Sequence, residues 1–169
     1  MIVLVGFMGA GKTAVGRALA RRLGLPFVDA DRLIEERHGP IPEIFDQLGE
    51  TGFRAIEAAT VADCLAGPTA VLALGGGAVE TPDVRAALAG HEVWWLRVSL
   101  ADALARVQGD PHRPVLADPG IEARFDARQA LYAQVATHTL DVGSGGVSDV
   151  VTRLLAARRA ARLPRPSSR

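Results

Sequence analysis

The chain has 169 residues, 49% of them hydrophobic and 22% charged, and a formal net charge of zero. Such a length and composition suit one globular domain with a sizeable core and exclude collagen-like, disordered and disulfide-rich classes. A balanced charge supplies no basic field for nucleic acid or an anionic membrane surface, so neither partner is expected.

In chain order, residues 2–5 form a continuous apolar run rich in β-branched residues and bounded by Gly6, which predicts a central strand buried on both faces. Over 12–23 the apolar positions Val15, Leu19 and Leu23 recur every four residues, predicting an amphipathic helix stopped by Gly24. A second short strand is expected over 26–28, then Asp29-Ala30-Asp31 and a helix to about Arg37. Gly39-Pro40 breaks the chain, and helices over 41–47 and 51–65 meet at Gly49. The third strand is predicted over 70–74, ending in Gly75-Gly76-Gly77. A helix over 82–88, a strand over 92–98 and a helix over 101–108 follow. Residues 109–120 gather Gly, Pro, Asp and His, which predicts a lid-like loop. A helix over 121–136, a strand over 139–142 and a helix over 147–163 complete a domain spanning 1–163, with 164–169 expected to be a disordered tail. Short apolar strands alternating with helices call for a parallel sheet covered on both faces, an α/β fold of three α/β/α layers.

Cys64, the only cysteine, has no partner for an internal disulfide and reads as a small buried thiol. A reducing, cytoplasmic setting fits. Residues 1–7 carry no basic n-region, and no apolar run approaches the ~20 residues that span a bilayer. The four histidines are scattered without metal-ligand spacing, and Arg158, Arg159 and Arg162 read as a solvated face of the last helix. Trp94 and Trp95 are expected to fill the interface between sheet and helices.

The strongest motif is Gly6-Phe7-Met8-Gly9-Ala10-Gly11-Lys12-Thr13, a full match to G-x-x-x-x-G-K-[ST] placed directly after a buried strand and opening a helix. Glycines let the backbone curl until successive N–H groups face one anion, and the helix N-terminus adds partial positive charge. The lysine can reach the β- and γ-phosphates of ATP, and the Thr13 hydroxyl can ligate Mg²⁺. Of 19 Lys and Arg residues Lys12 is the only lysine, so a compact ammonium stands in this chain only where the motif requires one. An acid near the metal is also needed, and the third strand ends in glycines. Asp29 and Asp31, just past the second strand, are the next candidates, because parallel strands end on the side where ligands bind. Asp31 could instead cap the helix that follows.

Gly9-Ala10-Gly11-Lys12-Thr13, Asp29-Ala30-Asp31, Gly49-Glu50-Thr51-Gly52-Phe53-Arg54-Ala55-Ile56-Glu57, Gly75-Gly76-Gly77 and Arg113-Pro114-Val115-Leu116, in that order, resemble the motif set of shikimate kinases, and Arg128 with Tyr132 and Val135-Ala136 resembles the family's closing helix. The resemblance covers about residues 2–155 and implies the five-stranded parallel sheet of the P-loop, nucleoside monophosphate kinase-like group. It implies transfer of the γ-phosphoryl of ATP to the 3-hydroxyl of shikimate, a step of aromatic amino-acid biosynthesis, by a cytoplasmic monomer using Mg²⁺. Carried onto this chain, Gly9, Ala10, Gly11, Lys12, Thr13 and Ala14 would bind ATP, and Arg113 would close over the phosphates from the lid. Lys12, Asp31 and Arg113 would be the catalytic groups. Asp31 would hold the substrate hydroxyls, Arg54 and Arg128 would grip the carboxylate, and Gly76 and Gly77 would offer backbone N–H groups beside the ring. Thr13, and Asp29 through water, would support the metal. The physics of these roles is consistent: a planar guanidinium fork matches a carboxylate, and glycine lets backbone approach a ligand where a Cβ would collide.

Three positions depart from the family pattern. Ala14 replaces a second hydroxyl residue, leaving one phosphate contact to backbone. The adenine-side stretch Gly143-Ser144-Gly145-Gly146-Val147 lacks the family's Asn/Asp and Pro, and Ala130 stands where Pro is frequent. The rival readings are a kinase for gluconate or another small hydroxy acid, which the loop and Asp29-Ala30-Asp31 alone would serve, and a non-catalytic ATP-dependent switch. A nucleoside monophosphate kinase fits less well, because the acceptor arginines are set for one carboxylate. Phe45 and Phe53 could wall the substrate ring or pack into the core. Without the resemblance, Arg54 and Arg128 would read as solvated partners of Glu57 and Asp126.

Overall fold

The computed structural model describes residues 1–107, 120–143 and 145–162. Almost all of the expected lid (109–120), including Arg113, and the whole tail (164–169) lie outside the described residues. Five strands, β1 (Ile2–Val5), β2 (Phe27–Asp29), β3 (Val71–Ala73), β4 (Glu92–Arg97) and β5 (His138–Asp141), form one sheet in the order β2-β3-β1-β4-β5. Every pairing is parallel, with Leu4 opposite both Ala73 and Trp94. β1 is therefore central and all four of its residues are buried, as a continuous β-branched run demands.

The helices are α1 (Lys12–Leu23), α2 (Ala30–His38), α3 (Ile41–Ala66), α4 (Pro82–Ala87), α5 (Leu100–Val107), α6 (Ile121–Val135) and α7 (Val147–Arg162), with a 3₁₀ turn at Ala78–Glu80. They cover both sides of the sheet, giving the three-layer architecture expected. α1 packs on β3 and α7, burying Val15, Gly16, Leu19 and Ala20 as its four-residue periodicity predicts. α2 and α3 pack together over a separate small core of Ile34, Ile44 and Phe53. Phe53 thus belongs to packing, with the half-exposed Phe45 stacked on it at 4.5 Å. Within α3 the backbone leaves helical geometry at Gly49 (φ 67°), the break foreseen there. No helix among the described residues is long and apolar enough to cross a membrane.

Two minor expectations are corrected. Cys64 is half-buried, and burial raises its thiol above the ordinary range. Arg158 is not a solvated cation, since its Nε donates to Glu92 Oε1 at 2.7 Å while Trp94 Nε1 donates to the same oxygen at 3.0 Å. That network lets the indole of the fully buried Trp94 satisfy its N–H at the sheet's lower edge.

Candidate active site

Because all strands are parallel, the carboxyl ends of β1, β2 and β3 share one edge, and the loops leaving them build the site. The β1–α1 loop turns through Gly9 (φ 73°) and Gly11 (φ 83°), backbone conformations that favour glycine. Gly11 is the N-cap of α1 and no side chain caps the helix, so the first-turn N–H groups face the loop's concavity. Lys12 Nζ donates to the carbonyls of Gly6 (2.7 Å) and Phe7 (3.2 Å), which fixes the ammonium over the same curl.

Beside it, Thr13 Oγ1 donates to Asp29 Oδ2 at 2.6 Å, joining the first turn of α1 to the end of β2. Asp29 also caps α2, its Oδ1 accepting from Arg32 N at 3.4 Å. The capping role considered for Asp31 thus falls to Asp29, and Asp31 sits in the first turn of α2. Gly9, Gly11, Lys12, Thr13, Asp29 and Asp31 line a single cleft of about 310 Å³. Ala10 is buried behind the loop, and Ala14 reaches the cleft wall. A hydroxyl and a carboxylate converging beside an anion cradle are hard oxygen donors suited to Mg²⁺, which keeps several waters and phosphate oxygens as its other ligands.

The cleft has one further wall that the sequence did not point to. Arg106, at the end of α5, donates to the carbonyl of Gly9 at 3.2 Å, to that of Val142 at 3.3 Å and to that of Gly143. It links the β1–α1 loop to the stretch after β5, where the chain departs from the family pattern, and it lines the same cleft.

A second group of charges lies beyond the glycine triplet. Arg54 Nη1 donates to Glu57 Oε2 at 2.8 Å, and Arg54 Nη2 donates to Glu80 Oε2 at 3.0 Å and Glu50 Oε1 at 3.3 Å. Arg128, on α6, donates from Nε to Glu80 Oε1 at 3.1 Å and from Nη2 to Glu80 Oε2 at 2.9 Å. Neither arginine is a solvated helix residue, and the partner of Arg128 is Glu80, not Asp126. Glu57 is 1% exposed. Burial pushes its carboxyl above the ordinary value against the pull of Arg54, and the charges of Asp31 and Glu80 push it further. Burial alone would lower the Arg54 guanidinium, but the hydrogen bond and charge of Glu57, helped by Glu80 and Glu50, hold it above its usual range.

The triplet packs tightly between these groups. A Cβ on Gly75 would lie 2.5 Å from Asp31 Oδ1 and 2.9 Å from Glu57 Oε1, and one on Gly77 would lie 2.6 Å from Arg54 Nη2. Gly76 is held from the other side, its carbonyl accepting from Tyr132 Oη at 2.5 Å. Burial raises the Tyr132 phenol well above the ordinary tyrosine value, so it remains a donor. Lys12, Thr13, Asp29, Asp31, Arg54, Gly76, Gly77 and Arg128 are thus brought to one edge, while Arg113 lies outside the described residues. Glu80 and Arg106 are the site residues that sequence reasoning missed; Glu57 is the partner of Arg54 that the spacing offered, but buried where a solvated pair was the alternative. Glu80's position three residues after Gly77, on the ligand-binding edge, is the one signal that could have raised it.

A polyphosphate cradle and an anion fork on the same edge of an all-parallel sheet place the chain among the P-loop small-molecule kinases. The shikimate kinase family profile matches residues 8–158. A shikimate kinase of Mycobacterium tuberculosis is 43% identical over 98% of this chain and 95% of its own length. One of Chromobacterium violaceum is 46% identical over 90% of this chain and 86% of its own. Among solved structures, the shikimate kinase of Acinetobacter baumannii in complex with shikimate superposes with a TM-score of 0.89 at 36% identity, covering 96% of this chain and 94% of that one. The chain belongs to the shikimate kinase family.

Proposed function

We propose that this chain transfers the γ-phosphoryl of ATP to the 3-hydroxyl of shikimate, giving shikimate 3-phosphate and ADP. The observation that supports the acceptor class most directly is that Arg54 and Arg128 both donate to one carboxylate oxygen, Oε2 of Glu80. Two guanidinium groups that already share a carboxylate have the separation needed to hold that of a small acid.

In this reading the amides of Gly9 to Ala14 and the Lys12 ammonium bind the β- and γ-phosphates, Lys12 exchanging loop carbonyls for phosphate oxygens. Thr13, and Asp29 through water, would hold a Mg²⁺ ion, which would supply charge neutralisation at the phosphates. Arg54 and Arg128 fasten the acceptor's carboxylate, and Gly76 and Gly77 let the ring lie against backbone. Asp31, between cleft and triplet, orients the acceptor hydroxyl toward the γ-phosphorus and accepts its proton as the new bond forms. Phosphoryl transfer asks mainly for this positioning and charge neutralisation. Arg113 is assigned to the phosphates by the family pattern alone. Gluconate and other open-chain hydroxy acids are the rival acceptors, and the family membership weighs against them. A coupled ADP-release assay comparing shikimate with gluconate, with mass-spectrometric identification of shikimate 3-phosphate, tests the reading. Turnover of gluconate alone would reject the acceptor, and no turnover with nucleotide bound would favour the switch.

A further inference from the structure

The carboxylate fork is filled by a side chain of the protein itself. Both oxygens of Glu80 take hydrogen bonds from Arg128, and one of them also takes a bond from Arg54. An incoming acceptor carboxylate therefore meets a negative charge where it must bind. Glu57 and Glu80 alone balance the two arginines one for one, and the largely exposed Glu50 already adds a further carboxylate on Arg54, so an acceptor carboxylate would leave excess negative charge beside the pair. Like charges at that spacing repel strongly where water is scarce.

Glu50 already stands largely in solvent, so either Glu57 or Glu80 must give way, and the structure distinguishes which. Glu57 is fixed: its side chain is 1% exposed, and water is not within its reach. Glu80 is not, since 34% of its side chain is exposed. Its backbone is held in place, because Arg85 Nη1 donates to the carbonyls of Val79 (2.6 Å) and Glu80 (2.9 Å) and pins the 3₁₀ turn. The side chain can thus rotate into solvent without moving the turn.

We propose that Glu80 is a displaceable counter-ion that sets the affinity and charge selectivity of the acceptor pocket. It holds Arg54 and Arg128 together as a fork, and the acceptor's carboxylate replaces it by exchanging one anion for another. The inference rests on the proposed acceptor. A neutral ligand that replaces Glu80 takes from Arg128 both bonds to that carboxylate while Arg54 keeps Glu57 and Glu50, so the exchange favours carboxylates over their uncharged analogues.

Calorimetric titration of the full chain and of Glu80→Gln and Glu80→Ala with shikimate, and with its carboxamide analogue, tests the proposal. With the competing charge removed, both variants should bind shikimate about two- to fivefold more tightly, the range expected for half-exposed ion pairs. Their affinity for the carboxamide should change by less than the affinity for shikimate. Weaker or unchanged shikimate binding in both variants would overturn the proposal and make Glu80 a fixed brace. Equal tightening of acid and amide would overturn it too, because a loosened pocket would treat both alike. If shikimate binds none of the three proteins, the proposed acceptor fails and this inference with it, a result distinct from the others.

Discussion

Arg128→Ala isolates the carboxylate grip from phosphate binding. The side chain is 9% exposed and contributes two of the three hydrogen bonds that the fork makes to Glu80, at 3.1 and 2.9 Å. If the acceptor carboxylate takes over those bonds, its loss on truncation is that of a charged hydrogen-bonded pair, about 1.5–3 kcal/mol. At 1.4 kcal/mol per factor of ten, the KM for shikimate should rise roughly 10- to 150-fold while the KM for ATP stays near its wild-type value. Arg128→Lys should recover only part of the loss, since an ammonium returns the charge without the planar fork. The guanidinium also lies 5.7 Å from the Phe7 ring centroid, a contact contributing about 0.5–1 kcal/mol, so thermal unfolding must accompany the kinetics. The measurement is steady-state ADP release with shikimate varied at saturating ATP. A folded Arg128→Ala enzyme with unchanged shikimate KM would refute the assignment of this fork to the acceptor.

Other variants probe the remaining parts. Lys12→Ala removes the ammonium over the phosphate loop and should lower kcat/KM by about 10²- to 10³-fold, from electrostatic terms of roughly 3–4 kcal/mol; near-normal turnover would dismiss the loop's role. Gly77→Ala keeps an allowed backbone (φ −94°) but puts a methyl 2.6 Å from Arg54 Nη2, so it should raise the shikimate KM with little change in melting temperature; the reverse pattern would show that Gly77 serves folding. Glu57→Gln keeps the shape of the buried brace without its charge. Because burial raises the Glu57 carboxyl above its unfolded value, the folded state binds the proton more tightly, and the wild type should lose stability as pH rises from the ordinary glutamate range through the folded pKa. The variant's thermal stability should be flatter over that window, and parallel pH profiles for the two proteins would count against a raised Glu57.

Much of the fold was legible because each strand is a short apolar run followed by a helical period, and because parallel pairing buries such runs on both faces. The errors are local. β2 begins at Phe27 and not Pro26, since proline has no N–H to give to a ladder, although the Pro26 carbonyl still accepts from Val71 N at 2.9 Å. The curl of the β1–α1 loop was legible in full, because one contiguous motif carries its geometry. The carboxylate fork was legible only through resemblance. Arg54 and Glu57 are three apart, a spacing that also occurs on every solvated helix. A spacing of four puts Arg128 and Tyr132 on one face of α6, but nothing in its periodicity says that this face turns inward. The meeting of Arg54, on α3, with Arg128, on α6, at Glu80 joins three distant segments, and periodicity within one segment does not reveal which charges meet across several.

Among the described residues, the charged side chains of the site have partners within the protein. Lys12 is bonded to loop carbonyls, Thr13 to Asp29, and Arg54 and Arg128 to Glu80. Binding either substrate is therefore an exchange of hydrogen bonds, and its net gain is the difference between new and old partners. That difference should be largest where the old partner is a neutral carbonyl and the new one a phosphate, as at Lys12, because the phosphate adds an opposite charge where the carbonyl offers only a dipole. It should be smallest at the fork, where one carboxylate replaces another and only the solvation of the released Glu80 favours the change. The polyphosphate thus has the stronger claim on its half of the site, while the acceptor's hold is tuned through how readily Glu80 turns to water.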